Sequence, residues 1–144
     1  MHVRLATPAD APALMRLNAA FNGPGLNDVF HIERSLRKNP NEIVCIAEMD
    51  GYAVGFCCAQ LVSSMCYRDQ TGEITELYVE PSARRKGIAT ELIQLAEQVL
   101  VVRGAVNLKL LTGSDNHAAR AFYESLEYES DGEMHYTKLP SLPF

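Results

Sequence analysis

The apolar and polar positions at the start of the chain predict one strand followed by two helices. Alternation over residues 2–6 indicates the strand, and apolar residues at helical spacing over residues 8–21 indicate the first helix. A second amphipathic pattern covers residues 28–38. The segment between the helices is rich in glycine and proline, and we expect it to form a lid over a binding site. The residues of the second pattern that we expect to face inward are Phe30, Ile32 and Leu36.

The middle of the chain has the period of β-strands. Apolar runs over residues 43–49, 52–64 and 74–81 are separated by short polar segments. The first of these segments is Asp50-Gly51, a dipeptide typical of two-residue hairpin turns. The three runs therefore predict three consecutive antiparallel strands.

The last third of the chain alternates helical and strand patterns. A helix that follows Gly87 precedes a strand over residues 105–111 and a further helix over residues 114–126. The chain closes with a predicted hairpin, whose strands are residues 128–130 and 134–139. The predicted order is β-α-α-β-β-β-α-β-α-β-β. It defines an α+β fold with a mixed, mostly antiparallel central sheet flanked by about four helices.

Composition and charge limit the classes of function. A chain of 144 residues, 47% hydrophobic and 22% charged, predicts a single domain over residues 1–144. The formal net charge of −5 argues against a nucleic-acid partner, which requires a broad basic face. Without a run of about 18 apolar residues, we expect no membrane span. The start MHVRLATPAD lacks the layout of a secretion signal, and we therefore expect a cytoplasmic protein.

The four cysteines do not form a recognisable metal or redox motif. Cys45, Cys57 and Cys58 lie within apolar strand patterns, where free cysteine commonly behaves as a small hydrophobic residue. None of them forms a C-x-x-C pair with Cys66 or with another cysteine, and no histidine lies at metal-ligand spacing. We therefore expect core thiols and no metal.

A cluster of positive charge lies where the helix after residue 81 begins. Arg84, Arg85 and Lys86 directly precede Gly87 and an amphipathic helical pattern. Cations at a helix N-terminus are disfavoured by roughly 0.3–1 kcal/mol each, because the helix dipole is already positive there. Unpaired backbone N–H groups and nearby arginines suit a small anion. A solvated basic turn is the alternative interpretation.

The sequence around this cluster resembles the GNAT superfamily of N-acetyltransferases. The motif Arg84-x-x-Gly87-x-Ala89, preceded by LYVEP, is similar to the superfamily's acyl-CoA pyrophosphate motif. Asn116, Ala119 and the run Phe122-Tyr123-Glu124-x-Leu126 resemble its next conserved block. There are two departures. Ala89 stands where glycine is frequent, and Glu127 stands where the family commonly has glycine, so that we expect a slightly different exit from the last helix.

The resemblance implies acetyl-CoA as the acyl donor, bound between the predicted strands over residues 74–81 and 105–111. Backbone groups of Leu77, Tyr78 and Val79 would hold the pantetheine arm and polarise the thioester carbonyl. Asn116 would cap its helix and also contact the pantetheine amide. The residues expected to bind the pyrophosphate are Arg84, Arg85, Lys86, Gly87, Ile88, Ala89 and Thr90.

Direct transfer to an amine requires a base and a proton donor. An alkylamine of pKa near 10.4 is almost fully protonated at pH 7, and supplying its neutral form costs roughly 4–5 kcal/mol. Glu76 is the first candidate for the base and Glu73 the second, although each also fits a solvent-facing strand residue. Tyr123 matches the family's usual proton donor to the leaving thiolate. Its alternative role is that of an amphipathic tyrosine at the edge of the core.

The acceptor is the least determined part of the prediction. An acidic pocket that includes Asp28, Glu33, Glu73 and Glu76 favours the primary amine of a small cationic molecule. The first alternative is a protein N-terminal or lysine acetyltransferase, and the second is a non-catalytic acyl-CoA-binding module. Because family members often pair through terminal strands, the apolar tail LPSLPF (residues 139–144) also suggests a possible homodimer.

Overall fold

The structure is a computed structural model that describes residues 1–141. Backbone contacts group these residues into two compact units, one from Met1 to Leu111 and one that begins at Thr112. The single domain of 144 residues therefore stays a prediction. The last three residues of the apolar tail, 142–144, lie outside the described residues.

A five-stranded sheet forms the centre of the first unit, with the spatial order β1-β2-β3-β4-β5. The first three pairings are antiparallel, and β5 is parallel to β4. Asp50 and Gly51, between β2 and β3, both have positive φ (53° and 76°), as a type I′ turn requires. The strands are β1 (His2–Leu5), β2 (Glu42–Met49), β3 (Tyr52–Val62), β4 (Gln70–Val79) and β5 (Ala105–Leu110).

Helices cover both faces of this sheet. The third helix packs on one face, and its buried side is built from Ile88, Leu92, Ile93, Ala96 and Leu100. The first two helices pack on the other face, where Leu14, Leu17, Ile46 and Phe56 form a buried cluster. The helices are α1 (Ala11–Asn22), α2 (Val29–Lys38), α3 (Ile88–Val102) and, in the second unit, α4 (His117–Ser125). Within residues 1–141, no helix is long and apolar enough to cross a membrane.

The α+β fold class is confirmed, and so is the predicted order from β1 to α4. The two closing strands that we predicted at residues 128–130 and 134–139 do not form within the described residues. Met134, Tyr136 and Leu139 of that segment are largely exposed. A hairpin gains little from its strand pattern alone when its apolar side chains have no surface to cover.

The inward orientation of Phe30 was also wrong. Its side chain is 87% exposed, whereas Ile32 and Leu36 pack against the cluster beneath α1 and α2. Ile32 and Leu36 are four residues apart and share one side of the helix, but Phe30 is offset from Ile32 by about 200°.

The thiols of Cys45 and Cys57 are fully buried, as expected, on the face of the sheet that α3 covers. Cys58 is half-buried and Cys66 is exposed. Among the described residues, no three His, Cys, Asp or Glu side chains are arranged so that they could hold a metal ion.

Candidate active site

An irregularity in β4 determines which way its carboxylates point. Cys58 of β3 pairs with Glu76, but the next residue, Ala59, pairs with Ile74. Thr75 is therefore an extra residue on β4, which defines a β-bulge. Ile74, before the bulge, is buried against α3, and Tyr78, after it, contacts aromatic rings on the opposite face. The alternation of side chains is thus shifted by one residue at Thr75.

The bulge brings both candidate bases to the face of the sheet that α1 and α2 cover. Glu73 lies opposite Gln60, and the Gln60 amide donates to the Glu42 carboxylate at 3.2 Å. Glu76 lies opposite Cys58, which is two residues from Gln60 and shares its face. Three carboxylates from β2 and β4 therefore surround Gln60 and Cys58, and we call Glu42, Glu73 and Glu76 the acidic row.

Two members of the acidic row have perturbed acidities. Burial raises the pKa of the Glu76 carboxyl above its usual value. Burial also raises the pKa of Glu42; the hydrogen bond from Gln60 opposes this shift, and the charge of Glu76 adds to it. A carboxylate whose pKa is raised is a better proton acceptor near neutral pH. The role of Glu76 as a base stays a prediction.

The pairing of β4 with β5 ends where β5 itself ends, whereas β4 continues. Their parallel pairing runs from Gln70 opposite Ala105 to Ile74 opposite Leu110. β4 continues to Val79 without a further β5 partner among the described residues. Among the described residues, the second half of β4 therefore has a backbone edge without a strand partner on the side of β5, which we call the open side.

The backbone groups on that edge belong to Leu77 and Val79. The N–H group of Glu80 donates to the carbonyl of Val54 on β3. The backbone N–H and C=O groups of successive β4 residues therefore point alternately toward β3 and toward the open side. By this alternation, Leu77 and Val79 direct their N–H and C=O groups away from β3. Those of Tyr78 face β3, so that the prediction of Tyr78 as a backbone ligand was wrong. The Arg84 Nε donates to the carbonyl oxygen of Val79 at 2.9 Å, on the open side.

The basic loop, residues 84–87, follows a single 3-10 turn after β4. Arg84, Arg85 and Lys86 are exposed. Arg85 and Gly87 both have left-handed backbone conformations, with φ of 64° and 80°. Such residues bend a loop so that neighbouring N–H groups converge on an anion, and a left-handed arginine is uncommon enough to suggest a functional constraint.

The first turn of α3 belongs to the same candidate anion site. Gly87 is the N-cap, and its carbonyl accepts the first hydrogen bond of the helix, from the N–H group of Glu91. The N–H groups of Ile88, Ala89 and Thr90 therefore have no partner within the helix. The Ile88 side chain is buried in the core, so that Ile88 can contact a ligand only through its backbone. Apart from its chain neighbours and its own helix backbone, a Cβ atom at Gly87 would have no atom of the described residues within 4 Å, which leaves room for a ligand.

An aromatic group connects α1 to the edge of β4. The rings of Phe21 and Tyr78 are stacked with centroids 5.1 Å apart, and the Phe56 ring packs beside both. The guanidinium carbon of Arg84 lies 6.0 Å from the centre of the Tyr78 ring, at the outer limit of a cation–π contact. Phe21 is the penultimate residue of α1, directly before the predicted lid.

Two members of the predicted acidic pocket have other partners. The Asp28 carboxylate accepts a hydrogen bond from the N–H group of His31 and caps α2. The Glu33 carboxylate forms an ion pair with Arg37 one helical turn later, at 3.0 Å. Glu42 was missed, because its position beside Gln60 depends on a strand register that the sequence pattern does not specify.

The second unit holds the remaining predicted site residues. The Oδ1 atom of Asn116 accepts from the Ala119 N–H group at 3.1 Å, which confirms Asn116 as the N-cap of α4. The Tyr123 ring packs against the rings of Phe122 and Tyr128. The role of Asn116 toward pantetheine and that of Tyr123 as proton donor stay predictions.

Glu127 takes the backbone conformation for which the family commonly uses glycine. Its φ is 71°, and the next residue, Tyr128, donates its N–H to the carbonyl of Tyr123 at 3.1 Å. α4 therefore ends through a left-handed residue, at a cost of about 1–2 kcal/mol for a residue with a Cβ atom.

The mixed sheet, the unpaired end of β4 and the free N–H groups at the start of α3 agree with the arrangement that the sequence resemblance implied. The profile of the acetyltransferase (GNAT) family matches residues 12–128. An acetyltransferase of Pectobacterium atrosepticum is 35% identical over 99 residues, which are 69% of this chain and 65% of that relative. The chain therefore belongs to the acetyltransferase (GNAT) family. Its match spans less than two thirds of the length of that relative.

Solved structures agree with this fold. An aminoglycoside acetyltransferase from an uncultured soil metagenomic sample superposes with a TM-score of 0.84 at 23% identity, covering 98% of both chains. A ribosomal-protein-alanine N-acetyltransferase from Brucella melitensis superposes with a TM-score of 0.81 at 23% identity, covering 96% of this chain and 100% of the other. At these identities the likeness concerns the fold, and the two proteins act on different kinds of acceptor.

Proposed function

We propose that this protein is an acetyl-CoA-dependent N-acetyltransferase that moves an acetyl group directly onto the primary amine of a small cationic molecule. The observation that carries the proposal is the edge of β4 after Ile74, which has no strand partner among the described residues and leads through one 3-10 turn into the basic loop. One continuous stretch of chain thereby offers backbone groups for an amide-containing arm and then cations and free N–H groups for a phosphate.

The residues on this stretch fit coenzyme A. The basic loop and the first turn of α3 would hold the pyrophosphate through N–H groups and charge-assisted bonds. The backbone groups of Leu77 and Val79 that point away from β3 suit the amides of a pantetheine arm. When bound, acetyl-CoA would supply the acetyl group as a thioester.

Glu76 would act as the general base, directly or through one water molecule. Its carboxylate lies on the α1 and α2 face of β4, two residues before Tyr78, and its raised pKa favours proton acceptance. The acidic row would favour a cationic acceptor. The three carboxylates repel each other, and a bound cation would offset this repulsion. Glu73 remains the second candidate for the base.

Tyr123 would donate the proton that the leaving thiolate of coenzyme A requires. With ordinary pKa values of about 10 for tyrosine and 8.5 for a thiol, this transfer is uphill by only about 2 kcal/mol. Atoms and charge then balance: the ammonium group loses two protons on becoming an amide, which Glu76 accepts in turn and passes to solvent. The thiolate gains one proton from Tyr123, which is reprotonated from solvent, so that one proton is released overall.

A direct assay of acetyl transfer tests this function. The purified protein is incubated with acetyl-CoA and a panel of amines, and products are separated by chromatography and identified by mass. The panel contains a polyamine, an aminoglycoside, free lysine, a neutral amine and a peptide with a free N-terminus. We expect acetylation of the small cationic amines and a large loss of rate in Glu76→Gln.

If only the peptide were acetylated, the acceptor would be a protein and the small-molecule proposal would be wrong. Tight binding of acetyl-CoA without transfer to any amine, together with unchanged binding in Glu76→Gln and Tyr123→Phe, would favour the non-catalytic binding module.

A further inference from the structure

Glu80 is the residue through which β4 passes into the basic loop, and all three of its polar groups are engaged. Its N–H group donates to the carbonyl of Val54 at 2.8 Å. Its carbonyl accepts from the N–H group of Ala83 at 2.9 Å and so closes the turn that precedes the loop. Its carboxylate forms an ion pair with Arg16 of α1 at 2.5 Å. The position of Glu80 therefore determines where the loop leaves the sheet.

Arg16 is itself held in place by three contacts. One guanidinium nitrogen donates to Glu80, and the other donates to the carbonyl oxygen of Ala53 on β3 at 2.6 Å. The guanidinium carbon also lies 4.2 Å from the centre of the Tyr52 ring. A planar guanidinium that satisfies a carboxylate, a carbonyl and an aromatic face at once is fixed in direction as well as in charge.

Two arginines thus bind the end of β4, each at one of two consecutive residues. Arg84 binds the carbonyl of Val79, and Arg16 binds the carboxylate of Glu80. Arg84 belongs to the basic loop, whereas Arg16 comes from α1 and lies 64 residues before Glu80 in the sequence. Arg16 therefore ties the loop to an element outside the acyl-CoA motif.

We propose that Arg16 is a positioning residue for cofactor binding, which acts through Glu80 on the basic loop. The proposal rests on the proposed function, because it assumes that the loop binds acetyl-CoA. Loss of Arg16 would leave the half-buried Glu80 carboxylate without its partner. The turn that begins at Glu80 would then populate several positions, and acetyl-CoA would have to select the competent one.

This role predicts a separation of kinetic parameters that a purely structural ion pair would not produce. Arg16→Met keeps the length of the side chain but removes its charge and donors. We expect it to raise the KM for acetyl-CoA and the calorimetric Kd by about tenfold or more. This factor corresponds to the free energy of one charge-assisted hydrogen bond. We expect kcat at saturating acetyl-CoA and the KM for the amine to change less than about threefold, because Arg16 contacts neither reacting group.

Two further variants complete the experiment. Arg16→Lys keeps the charge but lacks the guanidinium fork, and we expect an intermediate loss of affinity. Arg37→Met removes the arginine of an exposed ion pair with Glu33 on α2 and serves as the matched control. We expect its Kd for acetyl-CoA to remain within twofold of wild type.

Measurements are made well below the melting temperature of each variant, and Arg16→Lys replaces Arg16→Met if the latter does not fold. An unchanged Kd and KM for acetyl-CoA in folded Arg16 variants, whatever their melting temperature, would overturn the proposal. If the wild-type chain itself binds no acetyl-CoA, the proposed function fails and this inference fails with it.

Discussion

Glu73 and Glu76 lie on the same face of β4, although residues three apart in a regular strand face opposite ways. The extra residue Thr75 shifts the alternation between them, as the pairing of Cys58 with Glu76 and of Ala59 with Ile74 demonstrates. The bulge thereby places two carboxylates beside Glu42, on the face that α1 and α2 cover. It also marks the point after which β4 loses its pairing with β5.

The pH dependence of acetyl transfer tests the role of Glu76. Because burial raises its pKa and a base must be deprotonated, kcat/KM should fall as the pH drops through the pKa of Glu76, above the usual carboxyl value. Glu76→Gln should lower kcat/KM by about 10²–10⁴-fold and remove this acid limb. Glu73→Gln is the matched control and should cost less than about tenfold. The opposite ranking of the two variants would assign the base to Glu73.

Alanine substitutions at two glycines distinguish an effect on core packing from an effect on the open edge of β4. A Cβ atom at Gly55 would lie 2.8 Å from the backbone oxygen of Tyr78, whereas one at Gly72 would meet the side-chain ends of Leu100 and Leu108 at 2.8 and 3.0 Å. We expect each alanine variant to lose about 1–3 kcal/mol of unfolding free energy in urea titrations. Only Gly55→Ala should also weaken acetyl-CoA binding in calorimetry, because it displaces the β4 backbone. Equal affinities in the two variants would contradict this distinction.

The thiols should differ sharply in reactivity. Burial raises the pKa of Cys45 to about 12 and also raises the pKa values of Cys57 and Cys58, whereas Cys66 is exposed. A disulfide reagent at pH 8 should therefore modify one thiol of the native protein rapidly and the other three only on unfolding. Cys66→Ser should abolish the rapid phase. A rapid phase that survives in this variant would show that a strand cysteine is accessible.

The ion-pair network at the start of α1 makes stability depend on pH. The Arg4 guanidinium, which donates to both Asp10 oxygens, holds the pKa of Asp10 below its usual value. A depressed folded-state pKa contributes stability above the unfolded value near 3.9, and the contribution is lost as the pH falls through the folded value. Asp10→Asn should therefore cost about 1–3 kcal/mol at pH 7, and the difference from wild type should shrink below about pH 4.

Urea titrations at pH 7 and pH 3 measure this effect. Asp28→Asn is a suitable control, because asparagine caps a helix about as well as aspartate and the Asp28 cap of α2 involves no ion pair in the described contacts. A difference between Asp10→Asn and wild type that stays constant across this range would contradict the assignment.

Local signals predicted the elements that depend on neighbouring residues. The dipeptide Asp50-Gly51 predicted its hairpin, since only residues that tolerate positive φ fit a type I′ turn. Gly87 predicted the start of α3, because a helix start depends on neighbouring residues, whereas the anion site at that start stays a prediction.

Features that depend on distant residues were not predicted. The bulge at Thr75 has no turn residue to mark it and follows from the register with β3. Glu42 joins the acidic row only through pairing across two strands, and Arg16 reaches Glu80 only after α1 has packed on the sheet. The prediction of a closing hairpin was wrong for a related reason. Alternation of apolar and polar residues specifies a strand only where another surface covers its apolar face.

The central claim is that the basic loop and the start of α3 bind the phosphates of acetyl-CoA. The measurement that tests it most directly is calorimetric titration of the purified protein with acetyl-CoA, with the double variant Arg84→Ala/Gly87→Glu as control. The variant should fold, because Gly87 faces open space, although a side chain at its φ of 80° costs about 1 kcal/mol. We predict micromolar binding to the wild-type chain and its loss in the variant. No binding to the wild type at millimolar acetyl-CoA, or equal binding by both proteins, would contradict the claim.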